Sequence, residues 1–199
     1  MLAAHVARLD SADPLENLGV GEVPEPTARP GWSIVRVEAA SLNQHDLWTL
    51  RGRSSQPVRV GQILGCDAAG VVEAHGDGAP AGAPAPGTPV VVHSVVSCHE
   101  CPACLEGDEL LCSRVALLSE GDFGGTLAEK VAVPTVNLIP RPESLDAVAA
   151  ACLPTAYLTA YRMLFTRAAL RPGQSVLVQG ASGGVATASI LLAPWTRTL

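Results

Sequence analysis

Aromatic side chains are scarce in this sequence, with three Trp, two Tyr and two Phe making up 4% of 199 residues. A core with so few rings has to be built from aliphatic side chains. Glycine (19) and proline (16) are plentiful and cut the chain into short elements. The pairing disfavours helical bundles and predicts short strands with many turns over the first two thirds. Long apolar runs are missing: none approaches the roughly 20 residues of a membrane-spanning helix, so no membrane partner is expected. A secretory signal is missing as well, since residues 1–6 lead straight into Arg8 and Asp10. An excess of positive charge is also lacking. The formal net charge of −6 disfavours a nucleic-acid partner. What remains, 48% hydrophobic and 16% charged, is the composition of a globular protein. Six cysteines, four of them in metal spacing, lead to the expectation of a reducing, cytoplasmic setting.

Cysteine supplies the strongest signal. Cys98, Cys101, Cys104 and Cys112 follow C-x2-C-x2-C-x7-C spacing inside SCHECPACLEGDELLCS, residues 97–113. Zinc takes four thiolates in a closed tetrahedral site that holds structure and leaves no position open for substrate. Disulfides are the competing reading, but cysteines this crowded pair awkwardly, and nothing marks the chain for export. One structural zinc per chain is therefore expected. A zinc module for nucleic acid is disfavoured, because the cysteines form one lobe and its flanks carry Glu100, Glu106, Asp108 and Glu109. The two other cysteines, Cys66 and Cys152, read as small buried hydrophobes. His45 and His93 read likewise as structural and not as ligands.

Strands are expected over residues 20–23, 32–37, 63–75, 89–96 and 127–133, the second from its period-2 alternation and the fourth from its continuous β-branched run. Gly65 and Gly70 inside the third suggest a bulge or close backbone approach. A short helical turn is expected at 46–50. Residues 79–86 (APAGAPAP) are low-complexity and read as a flexible loop. After about residue 138 the pattern changes. Ser144 can N-cap a helix over 145–151, and Pro154 interrupts it and opens a second helix over 155–169. Residues 175–179 (SVLVQ) read as a strand, followed by Gly180-Ala181-Ser182-Gly183-Gly184-Val185 and a helix over 183–193. Strand, glycine turn, helix is the opening unit of a dinucleotide-binding fold.

The cysteine lobe, the N-x-x-D segment at Asn43–Asp46, GCDAAGVV at 65–72 and GASGGV at 180–185, in this order, resemble the medium-chain dehydrogenase/reductase superfamily. The resemblance implies a β-rich GroES-like barrel domain followed by the start of an α/β Rossmann domain, of which one strand and one helix are present. It divides the chain at 1–140 and 141–199. It also implies an NAD(P)H-dependent oxidoreductase acting on a small molecule, with NADP or NAD as cofactor and homo-oligomers among full-length relatives. Cofactor contacts would fall to Thr159, Gly180, Gly183, Gly184 and Val185. In the zinc alcohol dehydrogenases of this superfamily a Cys, a His and a Cys hold a catalytic zinc. Here Asn43, Cys66 and Thr155 stand at those three positions, so no catalytic zinc is expected. That loss shifts the expected chemistry from alcohol oxidation toward reduction of a quinone, enone or carbonyl, with Asn43, Asp46 and Thr155 as the catalytic candidates and Trp48 as a wall. With so little of a Rossmann fold in the chain, the alternative expectation is an inactive or partner-dependent GroES-like fragment.

Overall fold

Valine-rich segments pair into an antiparallel sheet. In this computed structural model, which describes residues 1–197, the chain runs through β1 (Leu2–Val6), β2 (Leu18–Glu22), β3 (Trp32–Ser41), α1 (Gln44–Leu50), β4 (Asp67–His75), β5 (Pro89–Val92) and β6 (Val95–Val96). It continues through α2 (Pro102–Leu105), β7 (Ala116–Leu117), β8 (Lys130–Pro134), β9 (Leu138–Pro140) and α3 (Ala147–Ala151). Five strands form the central sheet in the order β8-β3-β4-β5-β9, while β1 pairs with β2 and β6 with β7. β1 also bridges to Ala128 and Ile63, which ties the small ladder to the rest.

The register explains the core. Val35 lies opposite Val72 on one side and Val131 on the other, so three β-branched side chains meet across neighbouring strands. They join Cys66, Ala68, Val90, Val92, Leu118 and Val133 in one buried cluster without any aromatic residue among its buried members. The β3–β4 ladder is bulged at Ile34/Val35, where Glu73 of β4 is the extra residue, and at Val37/Ala39, where Glu38 of β3 is. Opposite the second bulge Gly70 meets the backbone so closely that a Cβ there would collide with Arg36 O. The close approach expected from its glycine is present.

The chain divides into two compact units, Met1–Ala151 and Cys152–Leu199. α3 goes with the first, because Ala150 and Ala151 are buried against Ala69 and Val91 of the sheet. Its N-terminal cap is Asp146 in place of the expected Ser144: the Asp146 carboxylate accepts from Ala149 N at 2.7 Å.

In the second unit a helical run spans Leu153–Tyr157, Leu158–Tyr161 (α4) and Arg162–Arg167, with wide π-type turns in its first and last parts. Pro154 sits in the first turn, where its missing N–H costs nothing. α5 (Gly184–Leu192) packs against this run. Residues 175–179 form no ladder among the described residues. Their side chains carry the strand pattern, but a parallel strand exists only through a hydrogen-bonded neighbour, and none of the described strands lies in this unit.

Candidate functional site

The 97–113 lobe is built from tight turns. Pro102 opens α2 directly after Cys101, and Gly107, at φ +82, turns the chain back toward Cys112. The four Sγ atoms lie within 4.8 Å of one another, with Cys101–Cys104 and Cys98–Cys112 at 3.5 Å and Cys98–Cys104 at 3.9 Å. Tetrahedral zinc with bonds of about 2.3 Å sets its sulfurs about 3.8 Å apart, and this cluster fits that spacing. None of the four is in a disulfide.

The electrostatics fit as well. The backbone N–H of Glu100, helped by that of Cys101 and by Arg114, brings the Cys98 thiol down to about 5, and the Cys104 backbone lowers Cys101. Burial pushes Cys104 up to about 11. Neighbouring sulfurs resist joint ionisation, and a cation at their centre removes that conflict.

A second constellation lies at the start of α1. Asn43 precedes the helix, and the Asp46 carboxylate is buried with both oxygens engaged. Oδ2 accepts from Asn43 N at 2.8 Å and Oδ1 from Gly65 N at 2.9 Å. Asp46 is thus a capping residue that fastens α1 to the entrance of β4. Asn43 Nδ2 donates to Asp67 Oδ2 at 2.9 Å and stands 3.6 Å from Cys66 Sγ. Ser41 Oγ donates to the same Asp67 oxygen at 3.0 Å. Cys66 is fully buried, as expected, whereas Cys152 is exposed. Burial pushes His93 below its ordinary value, against the pull of Glu109.

A third group escapes sequence reasoning. Glu120, almost wholly buried, accepts from Ser54 Oγ at 2.6 Å, Ser55 Oγ at 2.7 Å, His45 Nε2 at 3.1 Å, Leu117 N at 3.2 Å and Ser55 N at 3.3 Å. Burial alone would raise its carboxyl, yet these donors hold it at about 2. His45 and Glu120 are 75 residues apart, beyond any local spacing pattern.

In the second unit, Thr155 is half-buried and Thr159 exposed. Gly180 has φ +67, and its carbonyl accepts from Gly183 N at 2.9 Å, which closes the turn before α5. Gly183 is the N-cap of α5. A Cβ on Gly184 would stand 3.4 Å from Ala156 Cβ, so a small residue suits this helix crossing. Val185 is half-buried in the first turn.

The alcohol dehydrogenase GroES-like domain family matches residues 29–143, more than half of the chain. The chain belongs to the medium-chain dehydrogenase/reductase superfamily. A crotonyl-CoA reductase of Streptomyces collinus is 34% identical, over 87% of this chain and 42% of that protein. An NAD-dependent alcohol dehydrogenase of known structure superposes with a TM-score of 0.88 at 37% identity, covering 98% of this chain and 55% of that one. A cobalt- and zinc-bound thermostable alcohol dehydrogenase from Pyrobaculum aerophilum does so with a TM-score of 0.87 at 31% identity, over 98% and 56%. The chain spans about half the length of the relatives it matches. These superfamily relatives are oxidoreductases, and the GroES-like reading of the first unit agrees with them. No described helix is long and apolar enough to cross a membrane.

Proposed function

We propose that this chain is part of an NAD(P)H-dependent oxidoreductase that passes hydride to a quinone, an enone or another carbonyl compound. Zinc would be held by Cys98, Cys101, Cys104 and Cys112 alone, as a structural ion. The observation that carries the reading is the Asn43 amide. An N–H group joins Asp67 and faces Cys66, at the place where a zinc alcohol dehydrogenase would present a thiolate to a metal. One thiol and one amide do not make a three-ligand catalytic site.

The chemistry follows from that donor set. Reducing a simple carbonyl builds charge on one oxygen and benefits most from a Lewis acid. A quinone or a conjugated enone spreads the charge, so hydrogen-bond donors can stabilise it. Asn43 and Thr155 supply such groups, and Asp46 fixes the segment that presents Asn43. Bound NAD(P)H would supply the hydride. Gly180, Gly183, Gly184 and Val185 would take its pyrophosphate at the start of α5, where backbone N–H groups converge, and Thr159 would flank the nicotinamide.

Fluorescence titration of the 199-residue chain with NADPH tests the cofactor half of this reading. Saturable binding supports it. Absence of binding at millimolar NADPH removes it and leaves a zinc-stabilised GroES-like domain.

A further inference from the structure

Within the first unit an open pocket of about 530 Å³ is lined by His45, Trp48, Arg53, Ser54, Ser55 and Glu120. This volume falls within the range of small-molecule sites. Trp48 is half exposed, so the pocket has an aromatic wall. Its floor is the His45–Glu120 pair.

The hydrogen-bond count at that floor is uneven. An ionised carboxylate offers about four acceptor positions, and Glu120 receives five donors. The two serine hydroxyls make the shortest bonds, and two of the others come from backbone fixed by the fold. The His45 Nε2–H is the donor that can turn to another acceptor without stranding the carboxylate. Because Glu120 only accepts, the proton on this edge of His45 belongs to Nε2. His45 Nδ1 is buried with no hydrogen-bond partner, so the ring's polar contacts run through Nε2.

The loop that carries Glu120 is braced from several directions. Ser119, fully buried, holds φ +70, a left-handed conformation that side chains other than glycine rarely take. Gln62 Nε2 donates to Ser119 O, and Arg59 donates to Gly121 O and pairs with Asp122. Arg29 donates to Asp122 O while lying over Trp32, whose ring stacks on Phe123. Such bracing keeps a strained residue in place beside one buried carboxylate.

We propose that this pocket seats a small unsaturated carbonyl compound along Trp48, with its carbonyl oxygen accepting from His45 Nε2–H. Glu120 acts as the positioning residue: it sets the Nε2–H tautomer of His45 before the compound binds and keeps its four other donors when that N–H turns to the carbonyl. The inference rests on the hydride-transfer reading above and names the carbonyl seat within it.

Crotonamide is a suitable probe, being an unsaturated carbonyl compound too weakly electrophilic to alkylate the thiols. It is titrated into the ¹⁵N-labelled 199-residue chain without cofactor, and the histidine ring nitrogens and tryptophan indoles are followed by NMR. Saturable millimolar binding is expected, with the His45 Nε2 and Trp48 indole signals moving together. His45→Phe should weaken binding about tenfold, whereas His45→Gln, which keeps an N–H, should stay within about threefold. Binding that leaves His45 Nε2 unmoved, equal binding by His45→Phe, or no saturable binding at millimolar probe each overturns the proposal. If His45→Phe does not fold, the Nε2 signal of the native chain decides. No NADPH is present, so a negative result beside intact NADPH binding strikes only this seat, and lost NADPH binding strikes only the broader reading.

Discussion

Gly65 donates its backbone N–H to Asp46 Oδ1 at 2.9 Å, and this bond fastens the first turn of α1 to the chain entering β4. Gly65 can do so because it holds φ +91, a conformation open to glycine. The other Asp46 oxygen takes the Asn43 N–H. One carboxylate therefore sets the separation between Asn43 and the Cys66–Asp67 step.

Asp46→Ala removes both acceptors and leaves two N–H groups in a buried setting. Each charged hydrogen bond contributes about 1.5–3 kcal/mol, and partial rehydration offsets some of the loss. A destabilisation of about 2–4 kcal/mol is expected, read as a lower denaturant midpoint with an unchanged slope. A change below about 0.5 kcal/mol, the usual range for surface substitutions, would show that the cap carries little.

Cys104→Ser should reduce zinc content and stability together, because a hydroxyl is a poor zinc ligand and the lobe has little apolar core of its own. Leu105, Leu110 and Leu111 all point to solvent. The expected readouts are zinc per chain falling toward zero and faster amide exchange confined to residues 97–113. The melting temperature should fall by about 2–4 °C for each kcal/mol lost. Retained zinc with a native melting temperature would contradict the ligand assignment.

Glu120 sets the acid limb of stability. Its carboxyl is depressed in the folded protein from 4.5 to about 2, so the folded state binds fewer protons than the unfolded one in that interval. The contribution is fully present above pH 4.5 and is lost as pH falls toward 2. Its size is about 3 kcal/mol, from the shift at about 1.4 kcal/mol per unit. Glu120→Gln should flatten this limb while lowering stability near neutral pH, as followed by denaturation at a series of pH values. An unchanged acid limb would remove Glu120 from that role.

Local patterns carried much of this molecule into view. The cysteine lobe was legible because all four thiols fall within fifteen residues, and the valine runs revealed β3, β5 and β8 because their neighbours bury them. Other features depend on partners distant in sequence or on choices between adjacent residues. Ser144 and Asp146 both suit an N-cap, and the fold picks Asp146 because α3 begins at Ala147 to bury Ala150 and Ala151. Asp46 reads equally as a cleft acid or a cap, and only the position of Gly65 N separates the two. The strand pattern at 175–179 is clear, but alternating side chains do not supply a ladder neighbour. Glu120, in the loop after β7, meets His45 on α1, and no spacing rule joins positions 75 residues apart.

Metal analysis of the purified chain tests the central claim most directly. One tightly bound zinc per chain is expected, lost in Cys104→Ser and retained in Cys66→Ser. Two tightly bound zincs per chain, with the second lost in Cys66→Ser, would contradict it by placing a metal where the Asn43 amide now meets Cys66 and Asp67.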